Sequence, residues 1–136
     1  MVAVEVDEHL GALAVHGPHD VLVAQLSGAK RMSFSHNDPD ALEALLTQHR
    51  HQFERVLIVI EGLYSMDGDI PDLPRFIALK QRHQAWLMVD EAHSFAVMGD
   101  RGLGLREYCG VPAGDVDIWM GTLSKTLSGC GGSGSG

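Results

Sequence analysis

Three predominantly apolar segments, each bounded by polar stretches, define the pattern of this chain. They are Val56–Ile60, Trp86–Val89 and Val116–Met120. Apolar segments of this length predict strands that are covered on both faces, as in a parallel sheet. Leu73 and Phe76 follow Asp72 at helical spacing, so a helix with Asp72 as its N-cap is expected between the first two strands. This alternation predicts an α/β fold, a three-layer sandwich around a mostly parallel sheet.

The rest of the pattern adds shorter elements and a tail. Met32–Phe34 is typical of a short strand, and Asp38 with Pro39 directly after it predicts the start of another helix. Leu105–Tyr108 predicts a short helical turn. Residues 129–136 contain only Gly, Ser and one Cys, which is the composition of a flexible linker. We therefore expect a partial domain over residues 1–128 and a flexible tail over residues 129–136.

Polar side chains follow each of the three apolar strands. They are Glu61 and Ser65 after the first, Asp90 and His93 after the second, and Thr122, Ser124 and Lys125 after the third. In open parallel sheets, ligands bind beyond the carboxyl ends of the strands. The convergence of these groups at one edge of the sheet therefore predicts a functional site.

Lys125 and Asp90 have the chemistry that a pyridoxal phosphate site requires. A lysine amine forms a Schiff base with the aldehyde of this cofactor, and a carboxylate keeps the pyridine nitrogen protonated, so that the ring withdraws electrons. An aspartate that follows four large apolar residues needs a partner, because burying a bare carboxylate is costly. Lys125 is expected to be partly buried, which lowers the pKa of its amine. The pair predicts pyridoxal 5'-phosphate as the cofactor.

Four further side chains are candidates for contacts with that cofactor. The hydroxyls of Thr122 and Ser124, with the loop amides around Gly121, suit a phosphate group. His93 is a candidate to hydrogen-bond the phenolic oxygen or to do acid–base work nearby, and the alternative is a structural histidine that binds a backbone carbonyl. Ser65 either reaches the same edge of the cofactor or only stabilises its own turn.

Composition and charge exclude several other classes of protein. The chain has 136 residues, a net charge of -8 and a pI of about 5.3, and it lacks a basic run. It therefore offers no electrostatic surface for nucleic acid or an anionic membrane. No apolar run approaches the length of a bilayer span, the N-terminus lacks the pattern of a signal peptide, and two cysteines are too few for a disulfide framework. A cytoplasmic protein is expected.

The acidic loop with Asp67, Asp69 and Asp72 is a candidate for a metal ion. It lacks the ligand pattern of a calcium loop. We therefore expect a solvated loop that ends in a helix cap, and no metal site.

Several segments, in a fixed order along the chain, resemble the α-oxoamine synthases. This family of fold-type I pyridoxal phosphate enzymes includes 8-amino-7-oxononanoate synthase, glycine C-acetyltransferase and serine palmitoyltransferase. The matching segments are Leu26-Ser27-Gly28-Ala29, His36-Asn37-Asp38, Glu61-Gly62-Leu63-Tyr64-Ser65-Met66-Asp67-Gly68-Asp69, Val89-Asp90-Glu91-Ala92-His93-Ser94, Gly102-Leu103-Gly104 and Gly121-Thr122-Leu123-Ser124-Lys125. The resemblance implies the central part of a fold-type I large domain.

The resemblance also implies a role for each matching residue. Lys125 corresponds to the lysine that binds the cofactor covalently and then acts as the base for the α-proton. Asp90 corresponds to the partner of the pyridine nitrogen. His93 and Ser65 correspond to residues near the phenolic oxygen, with His93 as a second catalytic candidate. The residues that correspond to phosphate ligands are Thr122 and Ser124.

The implied reaction is the decarboxylative condensation of an amino acid with an acyl thioester, carried by CoA or an acyl-carrier protein, to an α-amino ketone. The implied full-length protein is a homodimer. Two alternatives stay open. One is another fold-type I activity, such as an aminotransferase or an aldolase-like lyase, and the other is a non-catalytic truncated fragment.

The chain also departs from the family's pattern. It has no counterpart of the N-terminal arm, of the glycine-rich stretch ahead of the cofactor site or of the C-terminal small domain, which supplies an arginine for the substrate carboxylate. His16 lies near the position of the family's ring-stacking histidine, but its local sequence is His16-Gly17-Pro18-His19. We expect this chain alone to bind the cofactor weakly and to turn over little or nothing.

Overall fold

One mixed sheet organises the part of the chain that the structure describes. The computed structural model describes residues 30–136 and, as backbone only, residues 2–7 and 11–16. The strands are β1 (Val2–Asp7), β2 (Gly11–His16), β3 (Lys30–Phe34), β4 (Val56–Glu61), β5 (Trp86–Asp90), β6 (Ile118–Thr122) and β7 (Gly132–Ser135). The helices are α1 (Pro39–His49), α2 (Leu73–Arg82) and α3 (Leu105–Cys109), with short 3-10 turns at Arg50–Gln52 and Ala113–Asp115. Within these ranges, no helix combines the length and the apolar character that crossing a membrane requires.

The sheet has a parallel centre with antiparallel strands on either side. Its strand order is β3-β1-β2-β4-β5-β6-β7. Strands β2, β4, β5 and β6 run parallel to one another. Strand β1 is antiparallel to β2 and β3, and β7 is antiparallel to β6. The predicted α/β fold with a mostly parallel sheet is therefore confirmed.

The longer apolar runs do not predict strands β1 and β2. The alternate valines of residues 2–6 are nevertheless a strand signal, because side chains of a strand point to opposite faces in turn. The two strands pair antiparallel along their whole length. Strand β2 then lies parallel to β4, with Leu13 opposite Leu57, so it extends the sheet on the side of β4 away from β5.

Both longer helices begin where the sequence predicts. The Oδ1 atom of Asp38 accepts hydrogen bonds from the backbone N–H groups of Asp40 and Ala41, both at 3.0 Å. Asp72 caps α2 in the same way, through the backbone N–H of Arg75. A carboxylate at this position satisfies N–H groups that have no partner within the helix. Both predicted N-caps are confirmed.

The hydrophobic core joins the helices to the central strands. The largest fully buried side chains are Tyr64, Phe76, Leu42, Ile58, Ile60, Leu73, Leu87 and Leu105. Burying a side chain of this size stabilises a fold by about 1.5–3 kcal/mol. The best-packed part of the protein therefore includes β4 and β5, whose carboxyl ends carry the polar residues of interest.

A largely buried ion pair fixes the start of β6. The predicted strand is Val116–Met120, but β6 begins at Ile118. Asp117 explains the shift, because its Oδ2 atom accepts hydrogen bonds from Lys80 Nζ at 2.8 Å and from the Leu87 backbone N–H at 2.7 Å. Its own N–H donates to the Leu87 carbonyl. Asp117 thereby joins α2, β5 and the start of β6.

Part of the glycine-rich tail forms a strand. Residues Gly132–Ser135 form β7, which pairs with β6 from Thr122 opposite Gly132 to Trp119 opposite Ser135. Strand pairing uses backbone N–H and C=O groups, so a lack of large side chains does not prevent it. The composition of this segment is typical of a linker, but the free edge of β6 supplies a partner. The division of the chain at residue 128 stays a prediction.

Replacing Asp117 by alanine is expected to lower the free energy of unfolding by about 2–3 kcal/mol, because Lys80 and the Leu87 N–H would lose their partner. The side chain of Lys80 is 11% exposed, so water replaces the lost contact only in part. Urea unfolding followed by circular dichroism measures the change. The control Asp100→Ala, at an exposed position, should change it by less than about 0.5 kcal/mol. Equal stability of Asp117→Ala and the wild type would contradict this role.

Candidate active site at the carboxyl edge of the sheet

The ends of β4, β5 and β6 bring polar residues to one edge of the sheet. Glu61, the last residue of β4, lies opposite Asp90, the last residue of β5. Asp90 lies opposite Met120, two positions before β6 ends at Thr122. Neighbouring strands are about 4.8 Å apart, so the three strand ends are adjacent. The edge predicted from the apolar runs is therefore present.

Asp90 is a half-buried carboxylate with one defined partner. Its Oδ1 atom accepts a hydrogen bond from the Ala92 backbone N–H at 2.8 Å. Burial raises the pKa of Asp90 above its usual range, and the Ala92 N–H acts in the opposite direction. The charge of Glu61 raises the pKa further, whereas His93 and Lys125 act to lower it. A carboxylate in such a setting is stabilised by a cation that lies against it.

The turn after Asp90 packs tightly against the end of β4. The Gly62 N–H donates to the Asp90 carbonyl at 2.7 Å. A Cβ atom on Gly62 would overlap the side chain of Ser94. A glycine at this position therefore permits the close approach of the two segments. The approach fixes the turn that carries His93, which is half-buried.

Glu91 follows Asp90 but serves the start of α3 instead of the site. It is only 6% exposed, and its Oε1 atom accepts a hydrogen bond from the Leu105 backbone N–H at 2.9 Å. Burial raises the pKa of Glu91, and the Leu105 N–H acts to lower it. Gly104 has a φ of 79°, and a Cβ atom there would overlap the Glu91 carboxylate. Sequence reasoning gave Glu91 no role, because its partner lies 14 positions away.

Thr122, Ser124 and Lys125 lie at the end of β6 and in the loop beyond it. The two hydroxyl oxygens of Thr122 and Ser124 are 2.7 Å apart, and the Ser124 N–H donates to Thr122 Oγ1. The Leu123 N–H closes the loop by donating to the Gly131 carbonyl at 2.9 Å. Lys125 is exposed, so the expectation of partial burial is wrong for this chain. Its loop extends past the end of the strand into solvent.

Ser65 lies in an exposed part of the loop after β4. The backbone of this loop closes on itself, because the Tyr64 N–H donates to the Asp69 carbonyl at 3.0 Å and the Gly68 N–H donates to the Tyr64 carbonyl at 2.7 Å. Backbone groups thus account for the turn, and the Ser65 hydroxyl is not required for it. The role of Ser65 toward a cofactor stays a prediction.

Two residues that precede α1 brace the same loop. The Asp69 carboxylate accepts hydrogen bonds from Asn37 Nδ2 at 2.7 Å and from His36 Nε2 at 3.0 Å. Asn37 also donates to the Ile70 carbonyl at 3.1 Å. The His36 ring packs edge-on against the Tyr64 ring, with the centroids 4.5 Å apart. These contacts attach the loop that carries Ser65 to the segment ahead of α1.

The acidic loop is therefore only partly solvated. Asp67 is exposed, and Asp72 caps α2 as predicted. Asp69 departs from the expectation of a solvated side chain, because His36 and Asn37 bind it. His36, Asp67 and Asp69 present potential ligand atoms within 4.8 Å of one another. His36 Nε2 hydrogen-bonds Asp69 and lies 3.6 Å from Asp67 Oδ2. The brace was missed because Asn37 and Asp69 are 32 positions apart, although both lie in segments that resemble the family.

His16 is the last residue of β2, so its backbone lies at the same edge of the sheet as the ends of β4 and β5. Its side chain lies outside the described residues, as do residues 17–29, which contain the Ser27-Gly28-Ala29 motif. The expectation that His16 stacks on a cofactor ring stays a prediction.

An open cavity of about 230 Å³ adjoins this edge, and its lining includes Glu91 and residues 119–123 around the end of β6. Its wall includes Phe95, Arg106 and Trp119, whereas Asp90 and Lys125 do not line it. Apart from Thr122, the predicted cofactor ligands among the described residues do not line this cavity. We therefore place the candidate site at the ends of β4, β5 and β6.

Sequence comparison assigns the chain to a family. The family model for aminotransferase class I and II matches residues 14–136. The chain belongs to the aminotransferase class I and II family. The matched range contains every predicted site residue, from His16 to Lys125.

Two curated relatives are similar to most of the chain. Serine palmitoyltransferase 2 of Caenorhabditis elegans is 45% identical over 121 residues, which are 82% of this chain and 22% of that protein. A putative 8-amino-7-oxononanoate synthase of Desulforudis audaxviator is 52% identical over 107 residues, which are 79% of this chain and 27% of that protein. The resemblance to the α-oxoamine synthases is thereby confirmed. The chain spans only 22% to 27% of the length of these two relatives.

Solved structures agree with this assignment. One match is a lysine-to-alanine variant of serine palmitoyltransferase from S. paucimobilis with a bound aldimine of pyridoxal phosphate (PLP) and myriocin. It has a TM-score of 0.75 and 32% identity, and the match covers 87% of this chain and 30% of that chain. Another match is a structure of serine palmitoyltransferase (SPT) with the PLP internal aldimine. It has a TM-score of 0.70 and 32% identity, and the match covers 85% of this chain and 29% of that chain. The described part thus has the fold of a PLP-dependent transferase.

The Asp69 brace is expected to give stability that depends on pH. Burial acts to raise the pKa of Asp69, but hydrogen bonds from Asn37 and His36 outweigh it and hold the pKa below the usual range. The folded state then binds fewer protons at Asp69 than the unfolded chain does. This stabilisation is therefore present above about pH 4 and is lost as the pH falls through the lowered pKa.

Asp69→Asn is expected to lower the free energy of unfolding by about 1 kcal/mol at neutral pH, since the site is partly exposed. The variant should also lose less stability than the wild type on acidification. Urea unfolding at a series of pH values between about 6 and about 2 measures both effects, because this window extends from above the usual aspartate pKa to below it. Asp100→Asn is the exposed control. An acid dependence that is the same in Asp69→Asn and the wild type would contradict the brace.

Proposed function

We propose that the full-length protein catalyses a pyridoxal phosphate-dependent condensation of an amino acid with an acyl thioester, with loss of carbon dioxide, to an α-amino ketone. The thioester is carried by CoA or an acyl-carrier protein. The observation that carries the proposal is the position of Asp90 at the end of β5 and of Lys125 beyond the end of the adjacent parallel strand β6. The relatives named as serine palmitoyltransferase and 8-amino-7-oxononanoate synthase support this class of reaction.

The groups at this edge fit the cofactor. Lys125 offers an exposed amine. Asp90 offers a half-buried carboxylate whose pKa is raised by burial, which is an environment that a cationic ring nitrogen would relieve. Thr122 and Ser124 offer two hydroxyls 2.7 Å apart, which suit the oxygens of one phosphate group.

Each of these groups has a distinct task in the proposed reaction. When bound, pyridoxal phosphate supplies an aldehyde that an amine can condense with and a protonated ring that withdraws electrons from the substrate's α-carbon. Asp90 accepts a hydrogen bond from the ring nitrogen and keeps it protonated. Thr122 and Ser124 hold the phosphate. Lys125 binds the cofactor covalently and, once the substrate amine has displaced it, takes the α-proton.

Three further residues complete the proposed site. His93 lies on the turn that directly follows Asp90 and hydrogen-bonds the phenolic oxygen, with a share in proton transfer. Ser65 reaches the same oxygen from the braced loop after β4. His16, at the end of β2, stacks on the ring.

The full-length protein is proposed to act as a cytoplasmic homodimer, and the present chain is proposed to be inactive or nearly so by itself. Val97 and Leu127, close in sequence to His93 and Lys125, are 57% and 52% exposed. Apolar side chains beside a proposed site are favourable where further protein covers them. Coverage by the remainder of the protein and by a second subunit would exclude water from the edge.

Borohydride reduction of the chain with pyridoxal phosphate is expected to fix the cofactor on Lys125. The chain has three lysines, Lys30, Lys80 and Lys125, so peptide mapping by mass spectrometry separates the possible positions. Lys125→Ala should abolish the specific adduct, whereas Lys30→Ala, also an exposed lysine, should retain it. Asp90→Asn should weaken binding by about tenfold through loss of a charge-assisted hydrogen bond. Equal labelling of Lys30 and Lys125, or no adduct, would contradict the proposed site.

The reaction class is tested with the full-length protein, an amino acid and a panel of acyl-CoA thioesters. The proposed condensation releases carbon dioxide and a free thiol in equal amounts. Both products should be lost in Lys125→Ala and retained in Lys30→Ala. Transfer of the amino group to an oxo acid, without release of thiol, would instead identify an aminotransferase and overturn the proposal.

A further inference from the structure

We propose that Glu61 is a second carboxyl group of the candidate site and a positioning residue for Asp90. The charge of Glu61 acts on Asp90 across the paired strands and opposes the ionisation of its carboxyl group. The effect of Glu61 on cofactor binding rests on the proposed function. The proximity of the two carboxyl groups, called the pair below, is a property of this chain alone.

The register of the sheet carries the proposal. Glu61 and Asp90 are directly opposite each other on the parallel strands β4 and β5. Side chains of directly paired residues point to the same face, and the strands are about 4.8 Å apart. Both residues are half-buried and lie at the carboxyl edge of the sheet. The two carboxyl groups are therefore close neighbours at the same place as the predicted cofactor site.

The backbone prevents the pair from separating by a slip in register. The Gly62 N–H donates to the Asp90 carbonyl at 2.7 Å, directly after the Glu61–Asp90 pair. A Cβ atom on Gly62 would overlap the Ser94 side chain, so the two segments are already in the closest contact that their residues allow. Glu61 and Asp90 are thus fixed relative to each other.

The surroundings of the pair favour strong interaction between its charges. Burial raises the pKa of the Tyr64 hydroxyl, and the charges of Glu61 and Asp69 raise it further, which places Glu61 next to a second buried group. Burial also raises the pKa of Asp90, and the charge of Glu61 adds to it. A like charge in a poorly hydrated setting opposes the ionisation of its neighbour, so the charge of Glu61 raises the pKa of Asp90.

Other charged groups face the pair from the neighbouring elements. His93, on the turn after β5, and Lys125, on the loop after β6, act to lower the pKa of Asp90. On the far side of β4, β2 ends at His16, whose side chain lies outside the described residues. The positive groups moderate the repulsion within the pair, but burial and Glu61 outweigh them at Asp90.

The pair has a clear consequence for a cationic ring nitrogen held against Asp90. The charge of Glu61 raises the pH at which Asp90 ionises, and it also strengthens the negative potential that keeps the ring nitrogen protonated. In a plot of cofactor binding against pH, the rise at low pH is the acid limb and the fall at high pH is the alkaline limb. Removing the charge of Glu61 should therefore move both limbs to lower pH.

Carbon-13 NMR of the side-chain carboxyl groups tests the pair in the cofactor-free chain. In the wild type, the Asp90 resonance should report a midpoint above the usual aspartate range. Glu61→Gln should lower the Asp90 midpoint by about one pH unit, the size expected for a close, partly screened charge pair. Glu61→Asp should keep the Asp90 midpoint raised. Glu54→Gln, an exposed glutamate ahead of β4 that undergoes the same change, should leave it unchanged.

Two results would overturn the pair. One is a wild-type Asp90 midpoint that lies within or below the usual aspartate range, a measurement that does not depend on the folding of any variant. The other is an Asp90 midpoint that is the same in Glu61→Gln and the wild type.

The role toward the cofactor has a separate readout. Absorbance of the chain with saturating pyridoxal phosphate is followed against pH for the wild type, Glu61→Gln and Glu54→Gln. Both limbs should move to lower pH in Glu61→Gln alone. Limbs that stay in place while NMR reports a lower Asp90 midpoint in Glu61→Gln would overturn the role of Glu61 toward the cofactor. A wild type that binds no pyridoxal phosphate would refute the proposed function, and NMR would then decide the pair by itself.

Discussion

The in-register pairing of β4, β5 and β6 is the constraint on which the candidate site depends. Glu61 lies opposite Asp90, and Asp90 lies opposite Met120. A slip of one residue would turn each side chain to the other face of the sheet, so that Glu91 would replace Asp90 at the edge. Asp117 opposes such a slip, because it binds both backbone groups of Leu87 near the other end of β5. The chemistry of the edge is thus a consequence of strand register.

The acidic residues of this region differ in pKa and in role because their surroundings differ. Asp90 faces the candidate site and has a raised pKa because it is buried. Its neighbour Glu91 is also buried, but its carboxylate binds the start of α3. Asp69 has a lowered pKa, because hydrogen bonds from Asn37 and His36 outweigh its partial burial. Three carboxylates, at the end of β5 and in the loops that follow β4 and β5, therefore have three different roles.

Local patterns predicted most of the fold, because strands, caps and turns depend on neighbouring residues. The apolar runs gave β4 and β5, and Asp38 and Asp72 gave the helix starts. Contacts between distant positions could not be predicted in this way. The Asn37–Asp69 hydrogen bond spans 32 positions, and the pairing of Gly132–Ser135 with β6 depends on a free strand edge instead of on composition. The exposure of Lys125 likewise depends on what covers its loop.

A crystal structure of the chain after borohydride reduction with pyridoxal phosphate tests the central claim most directly. The convergence of strand ends predicts a ring attached to Lys125 Nζ, with its nitrogen within hydrogen-bond distance of the Asp90 carboxylate. A ring bound to Lys125 whose nitrogen points away from Asp90, or a ring in the cavity beside Trp119, would contradict the account.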